Sequence, residues 1–199
     1  MVSAVTTAHL QEPVLHELYS APRIFTWPEL QSMASDGILS PLYGKSYAAS
    51  GSAVTPRLRA RAAALAVPER MRTKVVAGRL TAAWIYGCAR PPRSLTLLVD
   101  AKHRISSIRG ARGCSLHEVR LGQFDVVSLG GLLVSSPLRT AADIALHVEA
   151  EHALPALSSL LEKPDLGVRL RLVTLAVQAA PRVPHKKRAL ATLARLQDG

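Results

Sequence analysis

Cysteine, aromatic side chains and long apolar runs are all scarce in this 199-residue chain, and each shortage removes a class of protein. Cys88 and Cys114 are too few for a disulfide scaffold and lack the paired spacing of a zinc module. In their apolar contexts they are expected to be buried, reduced thiols. Aromatics amount to 4%, so the core has to be built from Leu, Val, Ile and Ala. The longest weakly polar stretch, 126–138, is interrupted by Gly130, Gly131 and Pro137 and is too short to span a bilayer. The first residues have neither the basic start nor the apolar run of a signal peptide, so a cytoplasmic protein with no membrane partner is expected. Low-complexity tracts are missing as well. With 48% hydrophobic and 20% charged residues the composition is globular, with room for one domain with a large core or for a small module joined to a larger one.

Acidic side chains are the remaining shortage. Lys and Arg number 25 against 14 Asp and Glu, a formal net charge of +11, and the imbalance is local. Residues 10–47 hold Arg23 and Lys45 against Glu12, Glu17, Glu29 and Asp36, so the front of the chain is acidic. Residues 56–79 hold Arg57, Arg59, Arg61, Arg70, Arg72, Lys74 and Arg79 against Glu69 alone. A second basic cluster runs through Arg90, Arg93, Lys102, Arg104, Arg109, Arg112 and Arg120, and a third is Lys186, Lys187 and Arg188. Such clusters suit a polyanion or an acidic protein surface, and the plainer alternative is a solvated basic face. The candidate contacts to nucleic acid or an acidic partner are Arg57, Arg59, Arg61, Arg70, Arg72 and Lys74, together with Arg104, Arg109 and Arg112 in an exposed basic loop.

Periodicity divides the chain into three parts and predicts an α+β fold. In 1–50, Gln11–Tyr19 reads as a helix. Thr26 and Glu29 form a capping box for a second helix through Ala34, and Ile38–Tyr47 reads as a hairpin around Gly44. Two helices and a hairpin suggest a winged-helix-like module, followed by an uncharged linker at 48–52. Region 51–147 reads as a mixed α/β core. It has a basic helix at Leu58–Leu65, strands at 74–78, Leu95–Val99 and Ser115–Leu121, a short helix Leu80–Tyr86 stopped by Gly87, and a hairpin of Phe124–Val127 with Leu132–Val134 across Gly130-Gly131. From 148 to 199 the period is helical, packed on the core, with Pro155 and Pro164 expected to cut it into segments. A helix starting near Asp165 is expected to be buried on most sides, and a last helix to turn Leu190, Leu193 and Leu196 inward.

Tests for chemistry are mostly negative. Gly44-Lys45-Ser46 has the ending of a phosphate-binding loop, but Leu39 stands where its first glycine is needed. Asp100 and Lys102 resemble half of a metal-dependent nuclease element, yet no carboxylate lies between Glu69 and Asp100, so a surface pair is preferred. His147 and His152 are five apart and do not share a helical face, which argues against a metal site there. No Gly-x-Ser-x-Gly elbow is present. Trp84 and Tyr86 read as core and not as base-stacking rings.

The most informative stretch is Ser135–Ala145. Ser136 is placed to cap a helix, Pro137 fits its first position, and Arg139 and Asp143 stand one turn apart as an ion pair. Ser136, Pro137, Arg139, Asp143, Trp84 and Gly87 are therefore read as structural. The order of these segments resembles the AbiEi family of bacterial antitoxins. The likeness is carried by Asp36-Gly37-Ile38-Leu39 with Gly44 and Tyr47, by Gly78 with Thr81-Ala82-Ala83-Trp84-Ile85-Tyr86-Gly87, by 113–121, and by Gly131–Thr140 with Asp143. The resemblance implies an antitoxin partnered with a toxin that adds nucleotides to RNA, and possible repression of its own operator DNA. The helix Thr26–Ala34 has no Lys or Arg, so the front module alone is expected to bind DNA poorly. Besides a DNA-binding transcriptional regulator without toxin contact, three mechanisms are open for an antitoxin: repression, direct capture of a nucleotidyltransferase-like toxin, or its phosphorylation by an atypical Ser/Thr kinase. Only the last needs cofactors, ATP and Mg, and the chain has no Gly-rich loop, His-Arg-Asp or Asp-Phe-Gly element to support it. No catalytic residue and no metal ligand is assigned from sequence.

Overall fold

The computed structural model describes residues 18–22, 24–102, 113–181 and 184–197, and these form an α+β protein with two sheets. The front module has β1 (Tyr19–Ser20), α1 (Trp27–Ser35), β2 (Leu39–Tyr43) and β3 (Ser46–Ala49), with the antiparallel order β1-β3-β2. The capping box forms: the Glu29 carboxylate accepts from the Thr26 backbone N–H at 2.6 Å and from its hydroxyl at 2.8 Å. Those bonds hold the Glu29 carboxyl below its ordinary value. Leu30, Leu39 and Tyr47 make a small core, with Phe25 and Met33 packed on it.

Two expectations for this part fail. Tyr19 is in a strand paired with Tyr47, not in a helix, and the rest of the expected first helix lies outside the described residues. Ala48 and Ala49 belong to β3, the central strand, because Ala48 is buried and paired with Ser40; the connection begins only at Ser50.

The body opens with α2 (Pro56–Ala66), where Thr55 Oγ1 accepts from the Leu58 N–H at 3.2 Å and Pro56 takes the first position. Its sheet runs β6-β5-β4-β8-β7, from β4 (Val76–Ala77), β5 (Leu95–Asp100), β6 (Cys114–Val119), β7 (Val126–Leu129) and β8 (Leu132–Ser135). β4 pairs antiparallel with β5 and parallel with β8, and β6 joins β5 in parallel as the outer strand. That position gives β5 its unbroken apolar sequence and β6 its half-exposed one. β4 is shorter than its sequence run suggests, because the turn after the 3-10 segment Glu69–Met71 takes in Lys74 and Val75, whose N–H groups donate to the Met71 carbonyl, and Gly78 ends the strand against Leu98. Phe124, expected to begin the first hairpin strand, instead precedes β7 and is 85% exposed.

Five further helices complete the body: α3 (Arg79–Ile85), α4 (Pro137–His147), α5 (Ala150–Glu162), α6 (Leu170–Ala179) and α7 (Lys186–Ala194). One continuous core runs from Ala60 in α2 to Leu193 in α7, so the C-terminal helices share the core of the sheet. The front module is seated on it through β2, where the Tyr43 ring meets Trp84 at 5.0 Å between centroids.

Pro155 does not interrupt α5. Its ring lies on the exposed side, where water can serve the Glu151 carbonyl that loses its helical donor. The helix expected near Asp165 begins instead at Leu170, because Pro164–Leu166 is a 3-10 turn closed by Gly167 at φ 62°. Nor is it buried on most sides: Val173 and Val177 face inward, while Leu172 and Leu175 are 42% and 49% exposed.

Candidate functional site

A cleft of about 750 Å³ opens where the start of α3, the outer strand β6, the loop before β7, α4 and the end of α6 meet. Its frame is set by α4. Pro137 occupies the first helical position as expected, but Ser136 does not cap with its side chain. At the same junction Ser135 Oγ and Thr140 Oγ1 are 2.7 Å apart, and Thr140 Oγ1 donates to the Ser135 carbonyl at 3.0 Å, without capping the helix N–H groups. That carbonyl accepts a further bond from the Tyr86 hydroxyl at 2.7 Å, joining α3 to the β8–α4 junction. Gly87, at φ 77°, ends α3 beside the Arg59 guanidinium and Lys163.

From α4, Arg139, Asp143 and His147 project at successive intervals of four, so they line one face toward the cleft. Arg139 is the hub. Its Nε donates to Asp143 Oδ2 at 2.9 Å, and its Nη1 donates to Asp125 Oδ2 at 2.7 Å and to the Arg120 carbonyl at 3.0 Å. Burial alone works against the Arg139 charge, but the two carboxylates outweigh it and hold the guanidinium firmly protonated. Asp125 Oδ2 also accepts from the Gly122 N–H at 2.8 Å, so one ion-pair network fixes the loop leaving β6 to α4.

Opposite this network stands Arg79, the first residue of α3, with a backbone φ of 50° that side-chain-bearing residues seldom adopt. Its Nη1 donates to His117 Nε2 of β6 at 3.4 Å, which leaves the ring proton on Nδ1 of a neutral imidazole. Its Nε is buried without a hydrogen-bond partner, and burial lowers the affinity of the guanidinium for its proton. Burial, then the Arg79 charge, pushes the His117 and His147 imidazoles below their ordinary value. Sequence reasoning missed Arg79, His117 and His147 as a group. The interval of four from Arg139 through Asp143 to His147 was the available signal, whereas nothing local in the sequence pairs Arg79 with His117.

The basic residues singled out from sequence divide. Arg57 and Arg61 stand on one flank of α2 and line a groove of about 430 Å³ with the β7–β8 turn, Ser128–Gly131. Gly130 is needed there: it sits at φ 56°, and a Cβ would lie 2.5 Å from the Arg57 carbonyl oxygen. Arg59 points the other way, toward Gly87 and Lys163, because two residues along a helix turn the side chain through about half a circle. Arg72 donates through Nε to the Val67 carbonyl at 3.1 Å, while Arg70 and Lys74 are exposed beside it. Arg104, Arg109 and Arg112 lie outside the described residues.

Trp84 lies in the core, and Arg139 pairs with Asp143 one turn along α4. Cys88 is buried and Cys114 only half-buried, a correction for the latter; both are free thiols whose pKa burial pushes up, which disfavours the reactive thiolate. No group of three or more His, Cys, Asp or Glu among the described residues is arranged to hold a metal ion, so the His147–His152 segment brings no such cluster together.

No family model and no curated protein matches the chain. Among solved structures it is similar to the Rv2827c protein from Mycobacterium tuberculosis, at 14% identity and a TM-score of 0.46. The likeness covers 86% of this chain and 64% of that one, so the chain spans just under two thirds of its neighbour's length.

Proposed function

We propose that this protein is an antitoxin that neutralises a nucleotidyltransferase-like toxin by direct capture, laying its basic body against the acidic metal site of that enzyme. The observation that carries the reading is the groove between α2 and the β7–β8 turn. Its lining includes Arg57 and Arg61 and, among the described residues, no carboxylate. A guanidinium presents a planar fork of donors that matches a carboxylate, so paired arginines suit an acidic protein surface. The pairs of Asp125 and Asp143 with Arg139, and of Glu149 with Arg188, lie elsewhere in the body. The family resemblance of the Thr81–Gly87 and Gly131–Asp143 segments points the same way, and it is these segments that α3 and α4 bring into contact.

Co-expression with a toxin of this class, encoded beside the gene, tests the proposal. Growth should be rescued, and the two proteins should co-elute with the toxin at its unmodified mass. Rescue accompanied by one added phosphate on the toxin would replace capture by the kinase mechanism. Rescue with neither co-elution nor modification would favour repression at operator DNA.

A further inference from the structure

The cleft beneath α4 contains a feature that the capture reading does not use. Arg79 is held in an unfavourable backbone conformation, its Nε is buried without a partner, and its Nη1 leans on a neutral histidine at the long distance of 3.4 Å. A buried guanidinium donor without an acceptor is costly, and a strained residue at a cleft persists where function requires it. His147 of α4 faces the same space, and no carboxylate is hydrogen-bonded to Arg79 or to either imidazole among the described residues. The acids nearby are otherwise committed: Asp143 and Asp125 are held by Arg139.

We infer that Arg79, His117 and His147 form a binding site for the phosphate group of a small phosphate monoester. A tetrahedral oxyanion placed between them would accept from the Arg79 guanidinium where it lines the cleft and from both imidazoles once they are protonated. The rest of the ligand has an apolar wall to lie on, made by Leu138, Ala142, Leu146, Ala176 and Ala179, with the exposed Phe124 ring at the rim. A cleft of about 750 Å³ is large enough for a nucleotide or a sugar phosphate. The charged and titratable groups facing the site are Arg79 from α3, His117, Glu118 and Arg120 from the β6 edge, Asp125 from the following loop, and Arg139, Asp143 and His147 from α4; α6 contributes only apolar residues. With both imidazoles neutral this set carries no excess positive charge. A phosphate dianion therefore binds together with proton uptake by the histidines, and affinity rises as pH falls through their titration.

Calorimetric titration of the full chain with inorganic phosphate, a nucleoside monophosphate and a sugar phosphate tests this. Saturable one-site binding is expected, weakened at least about tenfold by Arg79→Met and by His117→Gln, the loss typical of one charge-assisted hydrogen bond. Preference for the nucleotide assigns the source as a nucleotide, and equal binding of all three assigns the phosphate group alone. Nuclear magnetic resonance of the histidine ring protons in the unaltered protein gives a readout that no folding defect can mimic: phosphate should raise the titration midpoints of two imidazoles. Absence of saturable binding by all three probes, or binding that both substitutions leave unchanged, overturns the proposal.

Discussion

Replacing Arg139 by methionine isolates the ion-pair network that joins α4 to the loop before β7. The substitution keeps the apolar stem and removes a charge that serves two carboxylates at 2.7 and 2.9 Å. The two acids are not equivalent: the Asp143 side chain is 6% exposed and that of Asp125 is 29% exposed. Water can compensate Asp125, so its share should be about 1 kcal/mol, as for a pair near the surface. Asp143 would be left as a buried charge without a partner, which typically costs about 3 kcal/mol or more. The expected loss for Arg139→Met is therefore about 3 to 4 kcal/mol. Asp125→Asn should lose only about 1 kcal/mol. Guanidinium unfolding followed by far-UV circular dichroism and by the emission of the buried Trp84 gives each value. The decisive comparison is the double variant Arg139→Met with Asp143→Leu, which removes both charges and should recover most of the loss. If the single variant costs less than about 1 kcal/mol, or the double variant is no more stable than the single, the isolated charge at Asp143 is not the cause.

Other expectations follow from the same geometry. Tyr86→Phe should lose about 1 kcal/mol in the same unfolding assay, because the Ser135 carbonyl keeps its bond from Thr140 Oγ1 when the phenol is removed. Gly130→Ala should lose about 2 kcal/mol, since a Cβ at φ 56° meets the Arg57 backbone oxygen. Stability should be level above about pH 7 and fall as pH drops below about 6.5. The folded-state values of His117 and His147 are depressed, so the unfolded chain binds more protons in that window; denaturation midpoints measured from about pH 7.5 to about pH 5.5 would show it. In a pull-down with the toxin, Arg57→Ala with Arg61→Ala should weaken capture at least about tenfold, while Arg59→Ala, on the opposite flank, should leave it within about twofold.

Most of the strands and helices were legible because their apolar period matched their final burial. β5 read as internal and β6 as half-exposed, and the two glycines of the β7–β8 turn marked the hairpin. What failed depended on alternatives that local pattern does not rank. Ser136 has the right position for a cap, but its side chain makes no cap bond, and the hydroxyl contacts at this junction belong to Ser135 and Thr140. Pro155 breaks a helix in isolation and is tolerated here because it faces water. The site was less legible than the fold. Arg57, Arg59 and Arg61 read as one basic strip, yet helical rotation gives them to two different flanks. The Arg79–His117 contact joins residues far apart in the chain through the parallel pairing of β5 with β6, a register that no pattern in either segment reveals.

The shortest strand of the larger sheet is also its middle one. β4 has two residues, and each is paired both to β5, soon after it in the chain, and to β8, which comes much later. A nascent chain therefore emerges with one side of its central seam open until β8 has cleared the ribosome. Through that interval Val76 and Ala77 offer a free backbone edge to any other strand, so the vulnerable period for pairing between two growing copies ends only when the Leu132–Ser135 segment arrives.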